Sequence, residues 1–208
     1  MEASDALPVT QSAYRKFHST ESALLKVYSD LYVALGKGHI ALLSLLDLSA
    51  AFDTVDHEIL LKWLKSSYGI TEAPLNWMRS YITDREQSVN ICLAKSAKVR
   101  LNCGVPQGSV HGPLLFVLYT KEFIDIIKRH GLINHCYADD VQLYFYSMPE
   151  ELDALTSAFD ACTEELCAWM RSNRLKLNCK KTECMWLCTK QCQKTLSAPA
   201  LHVGSATI

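Results

Sequence analysis

His135-Cys136-Tyr137-Ala138-Asp139-Asp140-Val141-Gln142-Leu143-Tyr144 is the stretch on which the reading of this chain turns. Two adjacent carboxylates stand between short runs rich in β-forming residues, Leu132 to Tyr137 before and Val141 to Tyr146 after. That pattern predicts a hairpin with the acidic pair at or near its turn. Adjacent Asp side chains raise each other's pKa unless a cation or water shares the charge, so a folded protein has little structural use for them. In an oxygen-ligand site the natural neutraliser is Mg²⁺, which takes one or two carboxylates and leaves room for substrate phosphates. Taken alone, the pair reads more readily as an exposed acidic turn; its partners elsewhere in the chain decide.

Upstream, His39 to Leu48 is a continuous apolar run, which predicts a buried central strand, and its one charge, Asp47, lies near the C-terminal end. A charge in that place is costly unless it is used. Between the two acidic elements lies Gly104-Val105-Pro106-Gln107-Gly108-Ser109-Val110-His111-Gly112-Pro113, a structured loop in which glycine lets backbone approach a ligand closely. Pro113 suits the first turn of a helix running to about Arg129. Ser19 or Thr20 caps an earlier helix whose Leu24, Leu25, Tyr28, Leu31, Tyr32 and Leu35 recur at helical spacing, which predicts a core-facing stripe. Asp56 caps the helix after Asp47, and Asp53 reads as a cap too; Pro74 opens another helix. Gln87 to Leu93 and Lys98 to Leu101 predict a strand pair carrying Lys95, Lys98 and Arg100 on a solvated face. Pro149 opens a long amphipathic helix to Met170, and Cys184 to Cys188 is a last short strand.

Hydrophobic residues make up 49% of the 208 and charged ones 21%, the composition of a globular α and β chain rather than a disordered one. Lys and Arg number 21 against 22 Asp and Glu, so no overall basic field announces a nucleic-acid binder and any such grip is local. The nine cysteines lack paired zinc-ribbon spacing and read as free thiols in a reducing compartment. The acidic, polar start is unlike a signal peptide, and no apolar run reaches the ~20 residues of a membrane span. These features predict an intracellular, soluble protein that does not engage a membrane.

If the apolar strand and the hairpin are neighbours, Asp47 meets Asp139 and Asp140 in one site able to hold two divalent ions roughly 3.5–4 Å apart. The matching chemistry is phosphoryl or nucleotidyl transfer, achieved by positioning and charge stabilisation. Leu46-Asp47-Leu48-Ser49-Ala50-Ala51-Phe52-Asp53, then Gly104-Val105-Pro106-Gln107-Gly108-Ser109, then Tyr137-Ala138-Asp139-Asp140 resemble motifs A, B and C of reverse transcriptases, specifically those of LINE-type (non-LTR) retrotransposons. Gln11-Ser12-Ala13-Tyr14-Arg15 resembles the segment before motif A, and Asn173 to Asn178 with Lys181-Thr182-Glu183 resembles motif D.

The resemblance implies an α+β fold: a right-hand polymerase palm, an antiparallel sheet with helices packed on one face, plus partial fingers. Residues 1–10 read as an irregular lead-in and 11–208 as the reverse transcriptase domain. It implies an RNA-directed DNA polymerase using Mg²⁺, with Mn²⁺ as a substitute, deoxynucleotides, and a DNA primer on an RNA template. Asp47, Asp139, Asp140 and the main-chain carbonyl of Leu48 would bind metal, with Asp140 in a less direct role. Phe52 would be the steric gate against a ribonucleotide 2′-OH, with ordinary core packing as the alternative; Gln107 and Gly108 would support the incoming nucleotide; Lys181 would protonate the leaving pyrophosphate, with an exposed turn lysine as the alternative. His111 departs from the family's usual leucine, with two readings open: an imidazole that disturbs packing of the motif B loop, or a satisfied core histidine. The basic finger motifs, motif E, thumb and endonuclease are expected to lie outside this stretch. The alternative reading is a catalytically inactive relic or domesticated fragment that acts at most as a nucleic-acid or protein-binding module.

Overall fold

The structure, a computed structural model, describes residues 7–194, 199–204 and 206–207. In chain order the elements are α1 (Thr20–Gly36), β1 (Ile40–Leu46), α2 (His57–Ser66), α3 (Glu72–Ile82), β2 (Arg85–Gln87), β3 (Asn90–Ile91), β4 (Ala94–Lys95) and β5 (Val99–Leu101). There follow α4 (His111–Tyr119), α5 (Lys121–Arg129), β6 (Ile133–Tyr137), β7 (Asp140–Ser147), α6 (Leu152–Ser172), β8 (Glu183–Leu187), β9 (His202–Val203) and β10 (Ala206–Thr207). The organising sheet has four strands in the order β6-β7-β1-β8, every neighbouring pair antiparallel.

β1 is central because it is apolar on both faces, as a strand covered on both sides must be. Its Ile40, Leu42 and Leu46 join the main core with Leu143 and Phe145 of β7, Leu115 and Phe116 of α4, and Phe159 and Leu166 of α6. Ala41, from the other face of β1, meets Tyr144, Val27 and Leu31 in a second, smaller cluster. The main helical layer therefore covers one face, as expected, and α1 is added on the other.

That helix corrects one expectation. Ser19 caps it through Ser22, but its buried stripe is Ala23, Val27, Leu31 and Ala34. Leu24, Leu25, Tyr28 and Tyr32 are instead 57–68% exposed, with the two tyrosine rings stacked 6.1 Å apart. Val27 and Leu31 of that face meet Ala41 of β1 and Tyr144 of β7, and Tyr144 donates its hydroxyl to Asp30 at 2.7 Å.

The segment read as one strand pair is a two-tier arm: β2 pairs with β5, and β3 with β4 beyond them. Lys98 bonds Glu86 at 2.7 Å and Arg100 bonds Asp84, so two of the three clustered cations are neutralised within the arm. The long helix begins at Leu152, after a single 3₁₀ turn at Pro149–Glu151, and buries Phe159, Cys162, Leu166 and Met170. Burial pushes the Cys136 and Cys162 thiols up to about 12, which keeps them protonated and inert, and neither is in a disulfide. Among the described residues no helix is long and apolar enough to cross a membrane.

Candidate active site

The acidic residues meet at one end of the sheet because of its register. β6 and β7 close at the Tyr137–Asp140 pair, so Ala138 and Asp139 alone make the turn. In the β1–β7 ladder Leu46 lies across from Val141. Continuing that register by one residue sets Asp47 across from Asp140, and antiparallel partners point to the same face. Strand alternation puts both on the α1 side of the sheet, away from the main core. Burial, then the charges of Asp139 and Asp47, raises the Asp140 carboxyl above its usual range. None of the three carboxylates has an ion-pair partner among the described residues.

The chain leaving β1 is fixed on both sides. Asn178 donates its N–H to the Asp47 carbonyl at 2.8 Å and Ser49 donates to the Lys176 carbonyl at 2.9 Å. Leu48 pairs with Leu177 between these bonds, so its own carbonyl is not used by the pairing. Lys181 sits in the turn after Asn178, its N–H on the Asn178 carbonyl at 3.0 Å and its side chain exposed. Phe52 is half-buried, its ring 4.7 Å from that of Phe116, centre to centre.

The Gly/Pro loop is fastened to the same chain. Gly104 donates to the Val55 carbonyl and Val105 to the Phe52 carbonyl, each at 2.8 Å. Gly104 has φ +88°, and a Cβ there would lie 3.0 Å from the Asp53 carbonyl oxygen, so glycine is required both by conformation and by space. Gln107 and Gly108 are exposed at the tip, with Gln107 3.5 Å from an Asp53 carboxylate oxygen. Asp56 caps α2 through the Ile59 N–H at 3.0 Å, but Asp53 caps no helix: it lies in the turns before α2 and faces Gln107 instead. His111 does not disturb the loop. Its ring lies edge-on to Trp77 and Tyr81 at 5.3 and 5.6 Å, and Tyr81 donates to Ser109 at 2.7 Å.

One residue at the site was given no role in the sequence reading. Gln11 is 2% exposed, and its carboxamide bonds both main-chain groups of Ala138, donating to the carbonyl at 3.1 Å and accepting from the N–H at 3.0 Å. No local pattern signals this, because the partners are 127 positions apart.

The donor set is hard oxygen throughout, three carboxylates and a free main-chain carbonyl, which suits Mg²⁺ or Mn²⁺ rather than a thiophilic ion. No three acidic, His or Cys side chains among the described residues already close on a single point. The β1–β7 and β6–β7 registers bring these acidic residues to one end of the sheet, and sharing a cation would require their side chains to turn toward one another.

Residues 2–198 match the family described as reverse transcriptase (RNA-dependent DNA polymerase). The chain belongs to the reverse transcriptase family. Similar proteins include the RNA-directed DNA polymerase from mobile element jockey of Drosophila funebris, 31% identical over 175 residues, 81% of this chain and 19% of the relative. The probable RNA-directed DNA polymerase from transposon X-element of Drosophila melanogaster is 29% identical over 184 residues, 88% of this chain and 20% of the relative. This reverse transcriptase domain thus spans about a fifth of the length of those relatives. The resemblance to LINE-type elements stands on them. Among solved structures, telomerase from Candida albicans with a fragment of telomeric RNA aligns at TM-score 0.61 and 14% identity, over 91% of this chain and 32% of that one. Apo telomerase from Candida tropicalis aligns at 0.63 and 13%, over 96% of this chain and 39% of that one. At that identity the likeness establishes the fold, the polymerase palm of reverse transcriptases.

Proposed function

We propose that this domain carries the nucleotidyl-transfer centre of an RNA-directed DNA polymerase that extends a DNA primer on an RNA template. The observation that carries the reading is the β1–β7 register, which ends at Leu46 across from Val141 and so supports Asp47 and Asp140 lying near the turn that carries Asp139. Asp47, Asp139 and the Leu48 carbonyl would hold the metal ions, with Asp140 supporting them through its charge. Bound there, a divalent pair would lower the pKa of the attacking hydroxyl and stabilise the leaving oxygen.

The remaining residues position the substrate. Phe52, in ring contact with Phe116 and bonded through its carbonyl to Val105, would crowd a 2′-OH, the group that separates RNA from DNA precursors. Gln107 and Gly108, at the exposed tip of a loop anchored on both sides, would lie under the incoming nucleotide. Lys181, exposed on the turn that grips the Asp47 strand, would deliver a proton to the departing pyrophosphate.

The charge balance, 21 basic against 22 acidic residues, supports a second reading for the chain taken alone: a palm whose own grip on duplex is weak. Two measurements test the proposal. Mn²⁺ should broaden the amide resonances of residues 47, 48, 139 and 140, and Asp139→Ala should abolish that broadening. RNA-templated extension by residues 1–208 should be low, and what there is should vanish in Asp47→Ala and Asp139→Ala. Millimolar Mn²⁺ that leaves those amides untouched, or extension indifferent to both substitutions, would overturn it.

A further inference from the structure

We infer that Gln11 is a positioning residue for the acidic turn: its carboxamide holds Ala138 in a left-handed conformation and thereby sets where Asp139 points. The inference rests on the reading of Asp139 as a metal-binding carboxylate. Ala138 is the first of the two turn residues and has φ 57°. A side-chain-bearing residue resists that region, and hairpins usually place Gly, Asn or Asp there. The strained turn therefore needs an external hold, and Gln11 supplies one on each side of the residue: Ala138 N–H to Oε1 at 3.0 Å, and Nε2 to the Ala138 carbonyl at 3.1 Å.

The clamp is itself fixed. Oε1 also accepts from the Ala13 N–H at 2.9 Å, which locks the carboxamide orientation. The chain around Gln11 runs parallel to β6, with Ser12 donating to the Cys136 carbonyl at 2.9 Å and Cys136 donating to the Thr10 carbonyl at 2.8 Å. Asn134 adds a bond to the Thr10 hydroxyl at 2.9 Å, and Arg15 closes the segment on the Leu7 carbonyl at 2.7 Å. Residues 7–15 are thus a strap along the sheet edge, with one buried amide aimed at the turn. None of the bonds made by that amide extends a ladder or caps a helix; their partners are the turn residue and the strap itself. The carboxylates beyond the turn repel one another, so a turn left to relax would move the acids apart.

Gln11→Met keeps the volume and removes all three side-chain bonds, while Gln11→Glu keeps an acceptor for the Ala138 N–H and loses the donor to its carbonyl. Two readouts are taken on residues 1–208: amide hydrogen exchange by NMR, and Mn²⁺ affinity from paramagnetic broadening at residues 47 and 139. In Gln11→Met, exchange at Ala138 should quicken about tenfold, in keeping with the loss of roughly one net hydrogen bond. Mn²⁺ affinity should fall about tenfold, while exchange at Leu42 and Phe145 in the core stays unchanged. In Gln11→Glu, protection at Ala138 should be largely retained. Unchanged exchange at Ala138 in Gln11→Met would overturn the clamp outright. Quickened exchange with undiminished Mn²⁺ affinity would overturn its role toward the carboxylates. Quickening at Leu42 and Phe145 as well would overturn the local role and make Gln11 a general packing residue. A wild-type chain that binds no Mn²⁺ at these residues would instead refute the metal reading, and the inference would fall with it, while Ala138 exchange would still report the clamp.

Discussion

Replacing Gly112 with alanine should unseat the Gly/Pro loop. A Cβ at this position would lie 2.2 Å from the Pro106 carbonyl oxygen, 2.9 Å from the Ser109 Oγ and 3.1 Å from the Pro106 carbonyl carbon. The nearest atom belongs to the backbone and has no rotamer to retreat into, so the loop or the start of α4 must move by about an ångström to restore van der Waals contact. Ser109 is the hub that this shift disturbs. It donates to the Pro106 carbonyl at 2.7 Å and accepts from the Gly112 N–H at 3.0 Å and the Tyr81 hydroxyl at 2.7 Å. Two weakened bonds cost about 1–3 kcal/mol together and overpacking costs about 1–3 more, while alanine returns about 1 kcal/mol of helix propensity. The net loss is about 1–5 kcal/mol, which for a domain of this size lowers Tm by roughly 2–20 °C. Urea unfolding followed by tryptophan emission measures it, because Trp77 reports on α3, whose Tyr81 holds the loop. A Gly112→Ala protein within 0.5 kcal/mol of wild type, with the Tyr81 environment unchanged, would show that the loop is not pinned between α3 and α4 as described. Gly36→Ala is the control: no atom lies within 4 Å of its Cβ position, so stability should hold or rise slightly.

Three further outcomes are expected. Leu31→Ala, which empties a side chain 6% exposed against the sheet, should cost about 2–5 kcal/mol, whereas Leu24→Gln and Tyr28→Gln on the exposed stripe should stay within about 0.5 kcal/mol in the same urea titration; losses at Leu24 and Tyr28 as large as that at Leu31 would restore the sequence reading of α1. Phe52→Val should lower discrimination against ribonucleotides in primer extension by about tenfold or more while deoxynucleotide use falls much less, and an equal loss of both would make Phe52 a packing residue beside Phe116. Burial, then the charges of Lys26 and His18, lowers the pKa of His135, with Asp30 opposing. The folded state therefore binds fewer protons than the unfolded chain, and the stabilisation present above the unfolded value of about 6.5 is lost as pH falls below it toward the folded value. His135→Asn should flatten stability against pH in that window, and a wild-type profile that rises on acidification would contradict the assignment.

Asp47 was legible because a charge ending an apolar strand is physically anomalous wherever that strand goes, and Asp139-Asp140 because β-forming runs flank a like-charged pair. Gly104 was legible as part of a loop, since glycine and proline act on local backbone geometry, whereas Gly112, read into the same loop, lies in the first turn of α4. The structure added why neither glycine can be replaced: a carbonyl of Asp53 or Pro106 occupies the space. The family motifs then tied these local signals to one reaction class, and the matching relatives bear out the family.

Tertiary structure alone decided which face of α1 is inside. Periodicity located an apolar stripe at Leu24, Leu25, Tyr28, Leu31, Tyr32 and Leu35, but burial depends on what a face meets, and of that stripe only Leu31 is buried, beside Ala23, Val27 and Ala34. Asp53 differs from Asp56 for a similar reason: both have the chemistry of a cap, and only Asp56 has a helix N-terminus within reach. Gln11 is the extreme case, a polar residue in an irregular segment whose purpose lies in a turn 127 positions away. Sequence patterns report the conformations that neighbouring residues impose on one another, whereas partners brought together by strand order and helix packing leave no periodic trace.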